Sequence, residues 1–359
     1  MRSIINKLSV FMMMVFVAVI AISCEKDEDI PPDTGLDYGD GIFIINEGAF
    51  NSGSGSVTWY NREGAGRIDN LYQKQNSLVP LGNTAQSMNV INGVGFIVVN
   101  NANLVRKVSL KSMQQMDQLE NVNLPRFLIG TDNNFAWLTT WDNKVIVFDS
   151  ENLAIIKKIT TGTGPEKLLE VGEEVWVLNQ GGYSIDSTVT IIGKQSMEVK
   201  QTLMVYPKPT GIQVDKNGLV WIICSGHGWN GWPDPTDSRG HLVCVDPSDY
   251  SVVKDLEFPA TDQHPEKLEI NSTGDILYYI YPGGIYKQET NAQDLQLTKV
   301  VNRSGVFYGL DYHHSSDVII ACDAGDFMQN GWVFRYDQTG ALIDSLEAGV
   351  GPTDVCIPK

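Results

Sequence analysis

The feature that most limits how this chain can fold is a repeat of short strand-like runs extending from residue 41 to the end. Runs rich in Val, Ile, Trp and Tyr alternate with clusters of Gly, Asn, Asp and Pro, with almost no 3.6-residue apolar periodicity. One unit reads Leu124 to Ile129, Phe135 to Thr139, Lys144 to Asp149 and Ala154 to Ile159. Others open at Thr84-Ala85-Gln86-Ser87, Gly164-Pro165-Glu166-Lys167, Lys208-Pro209-Thr210-Gly211, His264-Pro265-Glu266-Lys267 and Val306-Phe307-Tyr308-Gly309. The opening prolines Pro125, Pro165, Pro209 and Pro265 stand 40, 44 and 56 residues apart. A lone four-strand unit cannot bury both of its faces, and units of this length stacked around an axis can, which is the arrangement of a β-propeller.

The two ends complete each other. Gly41 to Asn46 reads as the second strand of a unit that lacks a first, and Gly351 to Ile357 reads as a first strand with nothing after it. Joined, they form one blade, close the ring and remove the exposed sheet edges. The expected fold is therefore all-β, a seven-bladed β-propeller with ring closure by a C-terminal strand in the first blade, over residues 41–359. The stretch from Pro265 to Val301 is the weakest in pattern, so six or eight blades stay open at this point.

The N-terminus carries a different message. Arg2 and Lys7 precede an uncharged run from Leu8 to Ile22, shorter than the roughly 20 residues a bilayer span needs. Ala21-Ile22-Ser23-Cys24 resembles the bacterial lipobox, which implies a signal peptide over 1–23 and lipid attachment at Cys24. Residues 24–40 are acidic and proline-bearing, the composition of a flexible tether. The acidic run resembles surface-export signals of Gram-negative lipoproteins; a tether facing the periplasm is the other reading. A net charge of −17 disfavours nucleic acid as a partner and leaves the lipid as the membrane contact.

Gly41 to Gly48, Ala85 to Met88, Ile97 to Asn101 and Gly340 to Asp344 together resemble the surface-layer-type (YncE-like) propeller lipoproteins. Within that group the chain is most similar to surface lipoproteins that capture cobalamin and pass it to a TonB-dependent outer-membrane transporter. The resemblance implies an outer-membrane, lipid-anchored protein facing the cell exterior, with a cobamide and such a transporter as its partners. It carries over no ligand contact, because no segment matches a recognisable contact motif.

The candidate binding residues come from the loops between second and third strands, on the face that also holds the blade-to-blade connections. The longest, Ser225 to Gly240, carries Trp229 and Trp232. With Asn46, Phe50, Asn100, Trp141, Tyr183, Tyr281 and Phe327 from the equivalent loops, they predict a rim of flat apolar faces and neutral hydrogen-bonding groups. Such a rim suits the corrin and peripheral amides of a cobamide; turn-forming asparagines and packing aromatics are the structural alternative. The blade openings add Arg126, Glu166, Lys167, Thr210, Glu266, Lys267, Tyr308 and Asp354, for which pairing between blades is the competing explanation. A glycan-binding lipoprotein, or a scaffold for a protein partner, is the alternative function.

Catalysis has little to stand on. There is no G-x-S-x-G, H-E-x-x-H or P-loop run, so no enzyme and no cofactor is expected. No Cys/His spacing suggests a metal, and turn chemistry accounts for Asp234 and Asp237 better than calcium does. Cys224 and Cys244 flank one hairpin and are compatible with either a disulfide or two buried thiols.

Overall fold

Alternating runs such as Phe135-Ala136-Trp137-Leu138 bury side chains on both faces only if sheets cover them from both sides, and that sets the architecture. The computed structural model describes residues 37–49, 53, 55–303, 305 and 307–358. They form seven antiparallel sheets, six of four strands and one of three, each following the next around a central channel. The expected signal peptide, Cys24 and most of the expected tether lie outside the described residues.

Blade 1 is the shared one. Its strands run in the order Ser56–Asn61, Gly41–Asn46, Pro352–Cys356, so the C-terminal segment supplies the innermost strand. The innermost strands of blades 2 to 7 are Ala85–Ile91, Pro125–Gly130, Pro165–Val171, Pro209–Val214, Glu266–Ile270 and Phe307–His313. Successive innermost strands touch, and Phe307–His313 meets Pro352–Cys356, which closes the ring. The segment Pro265 to Val301 forms a regular four-stranded blade 6 despite its weak pattern.

Among the described residues blade 1 has no fourth strand. A single bridge between Trp59 and Ile68 stands in for it, followed by the helix α1 (Leu71–Gln75), whose Leu71 and Tyr72 pack into the cluster between blades 1 and 2. The edge is thereby covered rather than left open to another chain. Tyr38–Asp40 belongs to the fold as well as to the expected tether. Tyr38 is buried, its ring meets Trp59 edge-on at 5.3 Å, and its carbonyl accepts the Trp59 indole N–H at 2.9 Å.

The core lies between blades, not within them. Phe96 and Val98 of blade 2 meet Leu128, Leu138 and Phe148 of blade 3, and equivalent clusters fill the other gaps. Trp137, Trp176 and Trp221 occupy the second strands of blades 3 to 5, fully buried. Each keeps its indole N–H bonded, to Thr131 Oγ1, Glu174 Oε2 and Asp215 Oδ2 respectively, at 3.0 to 3.1 Å. Cys224 and Cys244 are free thiols. They sit on neighbouring strands but enter different clusters, on opposite faces of blade 5, so the sheet itself keeps them apart.

Candidate functional site

Every innermost strand is irregular at the same place. The register against the second strand slips between Ala85 and Ser87, Pro125 and Leu128, Pro165 and Leu168, Pro209 and Gly211, Glu266 and Glu269, and Phe307 and Gly309. In blade 1 the same slip lets Asn46 pair with Pro352 and Ile45 with Asp354. A bulge leaves its extra residue out of the ladder and re-aims the side chain. Here the extra residues are Gln86, Arg126, Glu166, Thr210, Lys267, Tyr308 and Thr353, one from each blade, and all seven line a cavity of ≈ 210 Å³ at the channel mouth. Phe127 and Lys167, the second extra residues of blades 3 and 4, line it too.

A second device ties the loops to this ring. The residue before the innermost strand is left-handed in five blades: Thr84, Leu124, Gly164, Lys208 and Gly351 have φ from 47° to 63°. Their carbonyls accept the N–H groups of Asn100, Trp141, Gln180, Ser225 and Glu47, each just beyond a second strand. In those five blades the loop beyond the second strand, including the ones that carry Trp141, Tyr183 and Trp229, is thus hydrogen-bonded to the blade opening.

The charges at the mouth fall into two sets. Arg126 is paired: its Nε lies 3.0 Å from Glu166 Oε1, and a terminal nitrogen donates to Gln86 Oε1. Trp141 Nε1 donates to the same carboxylate at 2.9 Å. Lys167, Lys208 and Lys267 form no ion pair among the described residues and rest instead on aromatic rings. Their ammonium nitrogens lie 4.3 Å from the centre of Phe127, 3.5 Å from Trp229 and 5.8 Å from Tyr308. Lys208 also donates to the Gly228 carbonyl at 2.7 Å, and burial holds its ammonium below the ordinary lysine range. Burial raises the Glu47 carboxyl, which accepts the Tyr308 hydroxyl at 3.0 Å.

Below the mouth the channel turns acidic. The fifth residue counted from the openings Pro125, Pro165, Pro209, Pro265 and Phe307 faces it, bringing Glu269 and Asp311 to the level of Asp354, with Gln213 donating to Glu269 at 2.9 Å. Burial and the neighbouring Asp311 push Glu269 up to about 8; burial and Asp354 push Asp311 up to about 7. Lys167 lines both the mouth and these lower spaces. Burial opposes its charge, but the carboxylates of Asp354, Asp311, Glu269 and Glu166 outweigh that and raise its pKa.

The residues expected to bind divide sharply. Trp141 and Trp229 line the cavity; Tyr183 meets Trp141 edge-on at 5.0 Å, and Phe327 meets Tyr308 likewise at 5.0 Å. Trp232 lies next to this group, highly exposed, its N–H bonded to the Trp229 carbonyl at 3.1 Å. Asn46, Asn100 and Tyr281 are not at the mouth. Asn46 is fully buried, bonding Ser56, Thr58 and the Gly349 N–H; Asn100 donates to the Pro125 carbonyl; Tyr281 packs on Phe258 and Tyr286. Phe50 lies outside the described residues. Of the blade-opening set, Asp354 lies below the mouth, its carboxylate accepting the Met88 N–H, and the other seven line the cavity. Sequence reasoning passed over Lys208, Glu269 and Asp311. The signal for the acids is a polar residue at a strand position that Ile129 and Leu169 fill elsewhere.

In the long loop, Asp234 and Asp237 cap turns: Asp234 Oδ1 accepts from Thr236, and Asp237 Oδ2 accepts the Asp234 N–H. No metal-holding cluster of His, Cys, Asp and Glu occurs among the described residues.

The chain belongs to the family described as "Domain of unknown function (DUF5074)", whose profile matches residues 40–349. No curated protein matches it. Among solved structures it is similar to a quinonprotein alcohol dehydrogenase-like protein from Bacteroides thetaiotaomicron. That pair has 15% identity and a TM-score of 0.67, over 90% of this chain and 79% of that one. It is also similar to the Kuenenia stuttgartiensis hydrazine synthase, at 13% identity and a TM-score of 0.59, covering 75% and 88%. A third is the computationally designed Ika8 protein, at 10% and 0.59, covering 89% and 93%. At these identities the likeness is one of fold.

Proposed function

We propose that this protein captures a large amphipathic ligand on the channel mouth, and that the ligand is a cobamide. The observation that carries the reading is the juxtaposition of Trp141, Tyr183, Trp229 and Phe327 with polar and cationic groups around one cavity. A space of ≈ 210 Å³ takes one projecting part of such a ligand, while its broad face lies on the exposed rings of the rim. A corrin offers that face, its amides match hydrogen-bonding groups, and its phosphodiester matches a cation. Binding rather than catalysis follows from the same reading, since no nucleophile–base pair is part of it.

The biological setting we infer is an outer-membrane lipoprotein, acylated at Cys24, that hands its ligand to a TonB-dependent transporter. Titration of the purified protein with cyanocobalamin, followed by tryptophan fluorescence, tests the ligand. Saturable binding at micromolar concentration that Trp229→Ala weakens is expected; no binding there overturns the cobamide, and a glycan-array hit in its place favours sugar stacking on Trp229 and Trp232. Cys24→Ala tests the anchor: the variant is expected in the soluble fraction, and retention in membranes overturns the lipid attachment.

A further inference from the structure

We propose that the channel mouth is an oxyanion site, in which Lys167, Lys208 and Lys267 receive a phosphate or carboxylate group of the ligand. The inference deepens the reading of the mouth as the binding site and rests on that reading, but not on the ligand being a cobamide.

Three observations converge on it. The chain has a net charge of −17, yet three lysines and Arg126 meet around one cavity. Arg126 is already engaged by Glu166, whereas none of the three lysines forms an ion pair among the described residues. Each ammonium is seated on an aromatic face, which stabilises the cation without using its N–H donors. A lysine ammonium has three donors, and Lys208 spends one on the Gly228 carbonyl. Glu166 and Glu266 also line the cavity, but among the described residues neither comes within ion-pair distance of a lysine ammonium, so the remaining donors stay open to a headgroup.

The floor of the channel sets the depth at which the anion stops. Asp354 lies beneath Lys167 beside Glu269 and Asp311, and its carboxylate disfavours an anion that would travel further. Burial lowers the pKa of Lys208, so the site is under-solvated at the mouth and gains from an incoming negative charge. The rim aromatics then cover whatever the headgroup is attached to.

The test titrates the purified full chain with pyrophosphate and, separately, with citrate, reading quenching of tryptophan fluorescence and heat of binding. Saturable binding of at least one anion is expected, weakened tenfold or more in the Lys208→Met/Lys267→Met double variant and by added salt. Lys→Arg at both positions retains binding within about threefold, because the charge remains. Lys158→Met, on an exposed outer strand, serves as the control for net charge and leaves binding unchanged. The stronger of the two anions tells phosphate from carboxylate. Absence of binding by both anions overturns the proposal, as does equal binding by the double variant with an unchanged melting curve. If pyrophosphate binds and cyanocobalamin does not, the anion site stands and the cobamide falls. If cyanocobalamin binds equally well with and without the two lysines, the cobamide stands and the anion site falls.

Discussion

The guanidinium of Arg126 lies 4.3 Å above the indole of Trp141, and that indole donates its N–H to Glu166, the carboxylate that Arg126 itself holds at 3.0 Å. Three groups from two blades thus fix one another: Arg126 and Trp141 from blade 3, Glu166 from blade 4. The triad carries the rim ring of Trp141 on a charge pair at the blade junction, so ligand geometry and blade packing are coupled there.

Removing one member leaves a nearly buried charge without its partner. Arg126→Met is expected to cost about 3 kcal/mol of stability, because Glu166 keeps its negative charge while losing the guanidinium. Adding Glu166→Gln to that variant is expected to recover part of the loss, since no lone charge then remains. Urea unfolding of the two single variants and the double variant measures it; additive losses would mean that the pair is not coupled.

Gly228 holds the long loop against the mouth. Its φ is 120°, and a Cβ there meets Asp237 Oδ1 at 2.3 Å and His264 Nε2 at 2.6 Å, two buried atoms with no hydrogen-bond partner. Gly228→Ala is therefore expected to push the loop outward, lifting Trp229 off Lys208 and weakening ligand binding tenfold or more. The blades pack elsewhere, so the melting temperature is expected to fall by only a few degrees. Parallel binding and thermal-unfolding measurements check both halves.

What the sequence disclosed depends on where the information is stored. Strand alternation and the Pro-marked openings are local, and they revealed the blades, the shared first blade and the aromatic loops that hold Trp141 and Trp229. Blade 1's missing fourth strand was hidden because the bridge at Ile68 is one residue long. Asn46 and Asn100 look like loop-end binding groups in sequence, but strand neighbours consume their amides: Ser56 and Thr58 across blade 1 for Asn46, and the Pro125 carbonyl of the next blade for Asn100. The bulges are not visible in composition at all. They decide that Gln86, Thr210 and Thr353 face the same cavity as Arg126, and they follow from pairing between strands rather than from any residue type.

The acidic floor predicts a pH dependence of stability. Glu269 and Asp311 hold protons in the folded state up to about 8 and about 7, whereas in the unfolded chain they release them near 4.5 and 3.8. The folded state therefore binds more protons across that interval, so stability falls as pH rises through it. Below the unfolded values both states are protonated and the full stability is present; above about 8 the loss is complete. A urea midpoint that declines from pH 6 to pH 8.5 is expected. Glu269→Gln should flatten the decline, since an amide carbonyl still accepts from Gln213 and carries no charge. A midpoint that rises over this range would contradict the buried acids.

The strand Pro352–Cys356 makes a prediction about the whole ring. It supplies the channel side of blade 1, pairing with Phe43 to Asn46, and its neighbour on the other side is Phe307–His313 of blade 7. Val355 enters the cluster between blades 7 and 1 with Ile42, Ile44 and Ile320, and Cys356 enters the one between blades 1 and 2. Asp354 bonds the Met88 N–H, and the Val355 N–H bonds Asp311, so the strand also ties blades 2 and 7 to blade 1. Truncation after Val350 deletes these contacts and exposes Gly41–Asn46 as an open edge. At about 1.5–3 kcal/mol per large apolar side chain, uncovering Val355 and the isoleucines it shields removes a large share of the 5–15 kcal/mol that typically separates folded from unfolded. The truncated protein is expected to aggregate or to melt far below the parent, whereas removal of Pro358 and Lys359, which costs the Arg62 hydrogen bond to the buried Pro358 at 2.8 Å, is expected to lower the melting temperature by only a few degrees. Thermal unfolding and solubility of the two truncations decide it: a chain ending at Val350 that stays soluble and melts within a few degrees of the parent would show that the ring does not depend on this closure.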